Sequence, residues 1–283
     1  MQLESVDIVL EEYEPVTRDP AWSEDNSGLW SHLRQLIVRG TAEDVTGFVE
    51  HVGSALVNLS VDFTDMNRVS PQMVHQSLDR ILFCVPATLS RFCVRLEGPS
   101  GLGYGTLHFR PRHHHALLQK THLTGIAIQS DNMSSIWDHE DFPSMRTAWP
   151  GLTHFSVQHR GTAVVPLDLP LLDVMRFVEH HLALRRLELP RIELNQLPEA
   201  HEVARLAHRL EVLRISDLRP SESPRSWFRT ALKLALLIDR AFAKLDVSAG
   251  LCADARDGTR SPWGHVVRTI AALRLGRAQP LGL

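Results

Sequence analysis

The residue types that do chemistry are present in this chain, but their spacing argues against most catalytic sites. His201-Glu202 opens like the zinc-protease pattern H-E-x-x-H, yet Arg205 stands where the second histidine must be. His113, His114 and His115 are adjacent. A strand puts only alternate ones on one face and a helix stacks none at i, i+4, so the run reads as a solvent-exposed loop. His180-His181 reads as a surface or boundary pair on a helix rather than as ligands. Gly98, Gly101, Gly103 and Gly105 match neither G-x-G-x-x-G nor G-x-x-x-x-G-K-[ST], and no serine lies in G-x-S-x-G. Cys84 and Cys93 sit in apolar or strand surroundings without a neighbouring histidine, which suits core thiols. The expectation is a non-enzyme with no metal and no cofactor. An α/β enzyme with an unrecognised site stays open as the alternative.

What remains is surface chemistry, chiefly arginine, and its meaning depends on the elements that carry it. Between Leu182 and Leu218 the same small unit occurs twice. Leu184, Leu187 and Leu189 have the spacing L-x-x-L-x-L, and Leu210, Leu213 and Ile215 repeat it 26 residues later. Between them PEAHEVARLAHRL, starting at Pro198, has Val203, Leu206 and Leu210 at helical spacing. Strand, turn, helix and the same strand again is the unit of a leucine-rich repeat.

Apolar triplets with that spacing recur along the chain. They begin at Leu3, Leu33, Leu56, Leu89, Leu123, Leu152, Leu184, Leu210 and Phe242, between 23 and 34 residues apart. In each strand the apolar residues face one way and the residues between them the other. One unit cannot close a core, but stacked units can. The fold expected is an α/β leucine-rich-repeat-like solenoid, with a curved parallel sheet inside and helices outside. It would span residues 1–283 as a single domain, with residues 258–283 forming a C-terminal capping helix and tail.

Composition agrees with a large globular core. Of 283 residues, 43% are apolar and 22% charged, and the net charge of −3 gives no global basic signal for nucleic acid or membrane. Three scattered cysteines without C-x-x-C suit a reducing compartment, and the acidic N-terminus lacks the features of a signal peptide. A cytoplasmic or nuclear location is expected. The first strand begins almost at Met1 without a polar cap, which suggests a fragment, a shortened start or a missing cap.

Helix signals fill most intervals. Thr41-Ala42-Glu43-Asp44 resembles a capping box, with Val45, Phe48, Val49 and Val52 as its stripe. Ser70-Pro71, Ser223-Pro224 and Ser261-Pro262 each open a helix, serine capping and proline fitting the first turn. Met73, Val74, Leu78, Ile81, Leu82 and Val85 form the apolar face of the first of these. Trp227, Phe228, Leu232, Leu236 and Leu237 are expected to be buried in the second. The segment from Asp168 to His181 reads as a helix, and residues 130–150 as a polar loop with one helical turn. Residues 11–28 and 97–121 read as loops, with Leu107-His108-Phe109 as an extra short strand.

In a solenoid of this kind the residues between the apolar strand positions line the concave face. The candidate binding residues there are Arg39, Asp62, Arg91, Arg95, His154, Arg186, Glu188, Arg214 and Lys244. Arginine is well suited to bidentate contact with carboxylate or phosphate, so an acidic or phosphorylated protein partner is expected. A structural scaffold without a specific ligand is the other reading of the same face.

Three stretches, WPGLTHFSV (Trp149 to Val157), DLPLLDVMRFVEHHLALRRLELP (Asp168 to Pro190) and RLEVLRISDL (Arg209 to Leu218), resemble the repeat region of fungal F-box and leucine-rich-repeat-like proteins. That resemblance implies the substrate-binding part of an SCF-type ubiquitin-ligase receptor, or a truncated relic of one. In the family an F-box docks on the SCF adapter while the repeats bind substrate. Nothing in residues 1 to 30 looks like an F-box, so the adapter is expected as a partner only if an F-box lies upstream.

Overall fold

The computed structural model describes residues 4–10, 30–52, 55–64, 70–96, 114–130, 141–159, 169–194, 197–203, 205–206, 208–218, 224–248 and 261–278. The expected extra strand at Leu107–Phe109, the glycine-rich loop, the acidic loop at 11–28, His113 and Cys252 lie outside them.

Among the described residues eight strands form one sheet whose order follows the sequence. They are β1 (Ser5–Val9), β2 (Gln35–Gly40), β3 (Asn58–Phe63), β4 (Arg91–Leu96), β5 (Gly125–Ser130), β6 (His154–His159), β7 (Arg186–Arg191) and β8 (Val212–Asp217). Strands β1 to β5 pair in parallel with their neighbours, and so do β7 and β8. Their register aligns the apolar triplets, with Leu36, Leu59, Phe92 and Ile126 in one row and Val38, Val61, Val94 and Ile128 in the next. The leading leucines Leu33, Leu56, Leu89, Leu123, Leu152, Leu184 and Leu210 are all fully buried. Repeating strands in sequential order, alternating with helices, make the chain a leucine-rich-repeat-like solenoid.

A hydrogen-bond junction repeats with the strands. The N–H groups of Val57 and Asn58 converge on the Arg34 carbonyl, those of Ser90 and Arg91 on Val57, and those of Thr124 and Gly125 on Ser90. The same junction joins Arg185 and Arg186 to Thr153, and Glu211 and Val212 to Arg185. Each carbonyl at a strand entry thus satisfies two donors of the next unit, which fixes the register residue by residue.

The chain divides into two compact units, Met1–Leu152 with Ser156–Leu167, and Thr153–Phe155 with Asp168–Leu283. The first holds helices α1 (Ala42–Val52), α2 (Pro71–Cys84), α3 (His115–Leu118) and α4 (Asp141–Ala148). Thr41 caps α1 as its sequence predicts: its hydroxyl accepts from the Asp44 N–H at 3.2 Å and donates to Asp44 Oδ2 at 2.7 Å. Ser70 caps α2 through the Met73 N–H. Val45, Val49 and Val52 of α1 and Val74, Leu78, Ile81 and Leu82 of α2 supply the helical half of the core. Met73, expected on that face, is instead exposed, because at 100° per residue it falls outside the arc of Val74, Leu78, Ile81 and Leu82. Where one helical turn was expected, α4 extends through two, burying Phe142 and Met145.

The second unit holds α5 (Leu171–His180), α6 (Pro224–Ala241) and α7 (Pro262–Ala278). Ser261 caps α7 through the Gly264 N–H, and Trp263, Val266, Val267 and Ile270 are buried. Among the described residues no helix is long and apolar enough to cross a membrane.

Three expectations fail in this unit. The described residues between Pro198 and Leu210 are irregular, with a single turn, rather than helical. Within this stretch the Leu206 N–H donates to the Ala241 carbonyl, and just before it Lys233 donates to the Leu197 carbonyl. The ninth strand does not form. The Asp246 N–H donates to the Glu211 carbonyl at 2.6 Å, continuing the repeated junction, but Asp246 Oδ1 then accepts from the Ser248 N–H at 2.8 Å and its hydroxyl at 2.6 Å. That local bonding turns the chain into a helical conformation at Val247. Finally, Phe228, Leu232 and Leu236 of α6 are exposed. The buried arc of α6 is made by Ala231, Leu234, Ala235, Leu237, Ile238 and Ala241, and the small alanines let the helix sit close.

Candidate protein-binding face

On each strand the residues between the buried ones point to the opposite face. In the first unit three rows result. Gln35, Asn58, Arg91 and Gly125 form one; Ile37, Ser60, Cys93 and Ala127 the second; Arg39, Asp62, Arg95 and Gln129 the third. Neighbours within a row stand about 4.8 Å apart, the spacing of adjacent strands.

The third row is a ladder of charge. Asp62 is buried and sits between two arginines, with Arg39 Nε 3.1 Å and Arg95 Nη1 3.9 Å from its Oδ2. Arg39 also reaches Asp7 of β1 at 3.9 Å, and Arg95 Nε donates to Gln129 Oε1 at 3.1 Å. Asp62 was expected to present itself to a partner. It is instead an internal acceptor, because two guanidinium groups on the flanking strands close over it.

Arg91 differs. It is exposed and has no carboxylate partner among the described residues. Its aliphatic stem lies over Gly125, where a Cβ would stand only 3.3 Å from Arg91 Cγ. The absent side chain at Gly125 therefore gives Arg91 its resting place. Between the two outer rows, the Cys93 thiol is half-buried, and burial pushes its pKa up, opposed by a weaker hydrogen bond from Ser60.

The second unit brings Arg186, Glu188 and Arg214 onto neighbouring strands, Glu188 in register with Arg214. Glu188, expected to be exposed, is buried, and Arg186 folds back along its own strand so that Nε and Nη2 both donate to Glu188 Oε1, the former at 2.9 Å. His154 is exposed, its Nδ1 2.8 Å from the Thr153 hydroxyl. Lys244 lies in a turn after α6, outside the sheet, since the ninth strand is absent.

One cluster has no counterpart in the sequence reading. His114 is buried rather than exposed, with Nδ1 2.7 Å from Asp79 Oδ1 and Nε2 3.1 Å from His75 Nδ1. All three groups are satisfied when His114 donates to Asp79 and accepts from His75. The available signal was His75 and Asp79 at i, i+4 on α2, a spacing that places both on one helix face. Among the described residues no group of three side chains could hold a metal ion.

No family model and no curated protein matches the chain. Among solved structures, the leucine-rich repeat-containing protein LegL7 from Legionella pneumophila aligns over 99% of this chain and 92% of its own, with 10% identity and a TM-score of 0.42.

Proposed function

We propose that this protein recognises other proteins through the polar face of its sheet, and that the partner is acidic or phosphorylated. Arg91 carries the reading: an exposed guanidinium, without an acid of its own, beside the arginine pair that shares Asp62. In the first unit the three arginines Arg39, Arg91 and Arg95 stand over two acids, Asp62 and Asp7, so the face offers positive charge to a ligand. Arginines held by a neighbouring carboxylate lose less freedom when a ligand arrives. The family resemblance makes a substrate of an SCF-type ubiquitin ligase the kind of partner to test first.

The test is binding to an array of acidic and phosphorylated peptides. Wild-type protein should retain a subset, more weakly as salt rises. Arg91→Glu should lower that retention about tenfold or more without moving the melting curve, because the side chain is exposed and has no carboxylate partner among the described residues. Retention unchanged by Arg91→Glu would refute the assignment.

A further inference from the structure

Helices α6 and α7 of the second unit carry a surface that the repeat does not require. Phe228, Leu232 and Leu236 recur at i, i+4 and i+8 on α6, at the edge of its buried arc, and are 58%, 38% and 43% exposed, with the Phe228 ring 5.7 Å from that of His265 on α7. At 100° per residue, Arg229 and Arg240 fall beside this ridge on the same exposed arc. Both are exposed, and neither has a carboxylate partner among the described residues. The one acid of α6, Asp239, is buried and held by Arg274 Nε at 2.7 Å and Arg277 Nη1 at 2.6 Å. Helix α7 contains no acid, and its Leu275 is 69% exposed. Together the two helices hold seven lysines and arginines against a single aspartate, in a chain whose net charge is −3.

We propose that this ridge is a docking surface for an acidic amphipathic helix of a partner protein. The i, i+4 row of α6 is the ridge that packs into the groove of a second helix. Glutamates flanking the partner's apolar stripe would meet Arg229 and Arg240. A second copy of this chain does not fit, because a two-fold contact would set basic helix against basic helix. Nucleic acid does not fit, because its phosphates would have to cover Phe228 and the leucines. A lipid surface fits less well: the tryptophans that anchor at an interface are turned inward, Trp263 being buried and Trp227 partly covered.

The probe is a fluorescein-labelled helical peptide with leucines at i, i+3, i+4 and i+7 and glutamates flanking them. The same residues in scrambled order form the control. Fluorescence anisotropy should show saturable binding of the first peptide only, weakened by added salt. Leu232→Ser, Leu236→Ser and the pair Arg229→Glu with Arg240→Glu should each weaken it by about tenfold or more. All four side chains are exposed, so the folded protein tolerates each change, and circular dichroism verifies this. Arg91→Glu should leave this binding intact, which separates it from the sheet face. Equal binding of the scrambled peptide, indifference to the ridge variants, or loss in Arg91→Glu would overturn the proposal. So would absence of peptide binding together with recruitment to phosphatidylserine-containing vesicles, which would assign the surface to lipid.

Discussion

Replacing Asp62 by alanine tests whether the charge ladder organises the sheet face. Its Oδ2 lies 3.1 Å from Arg39 Nε and 3.9 Å from Arg95 Nη1. At an effective dielectric constant of 20 the two attractions are about 5 and about 4 kcal/mol. Most of that is offset. The Asp62 side chain is only 8% exposed and gives up its hydration on folding, while Arg39 at 45% and Arg95 at 34% are still screened by water. A charge-assisted hydrogen bond of this kind nets about 1.5–3 kcal/mol. Asp62→Ala should therefore destabilise by about 2 kcal/mol, since the arginines freed can turn to solvent. Asp62→Asn keeps the shape and one acceptor and should lose about half as much. Urea melts followed by circular dichroism measure both. Losses below about 0.5 kcal/mol for alanine, or an asparagine variant as unstable as alanine, would refute the shared-acceptor reading. The same variants should weaken acidic-peptide binding while keeping every arginine, because the guanidinium groups lose their fixed positions.

Leu187 is fully buried in the row formed with Leu213, so Leu187→Ala should cost about 2–5 kcal/mol in a urea melt. Arg186→Ala should cost about 1–2 kcal/mol, far more than an ordinary surface arginine, because buried Glu188 loses two donors. A loss under about 0.5 kcal/mol would show that Glu188 does not depend on it. Burial raises the Cys93 pKa, so less thiolate is present at mildly alkaline pH in the folded than in the unfolded chain. Alkylation read by peptide mass spectrometry should therefore be slower at Cys93 in native buffer than in urea, and equal rates would contradict its placement.

The repeat was legible because its signal is local and redundant. Three apolar residues at fixed spacing define a strand, and the alternation that buries Leu187 and Leu189 also turns Arg186 outward. Capping was legible for the same reason: Thr41, Ser70 and Ser261 bond only three residues ahead. The missing ninth strand has a local cause, the Asp246 carboxylate bonding Ser248, but other failures depend on neighbours far along the chain. Pro198 to Leu210 has the spacing of a helix, but its Leu206 N–H is taken by the Ala241 carbonyl of α6. Helix α6 has a wide apolar arc, and Phe228, Leu232 and Leu236 fall at its edge beside Arg229 and Arg240, away from its centre. The alanines decided which part of it faces the core, by allowing close approach where Phe228 and the exposed leucines would not. His114 stands in a run of three identical residues, and only the fold shows that one of them meets α2.

Counting arginines on one face overstated what that face can offer. Arg39, Arg95 and Arg186 already spend donors on Asp62 or Glu188, both buried. These carboxylates lie between positions that alternation assigns outward, and they are covered because longer cationic side chains beside them fold inward. A short acid flanked by arginines on such a face is thus a structural acceptor first, and its arginines become positioned groups with reduced net charge. On the proposed reading, recognition depends on Arg91, which has no carboxylate partner among the described residues, and on how rigidly its neighbours are held. Removing an acid from this face should therefore weaken binding of an anionic ligand even though it raises the positive charge, whereas a face that attracted ligands by charge alone would bind more tightly. The sign of the binding change in Asp62→Ala, opposite for the two cases, decides between a built site and a diffuse field.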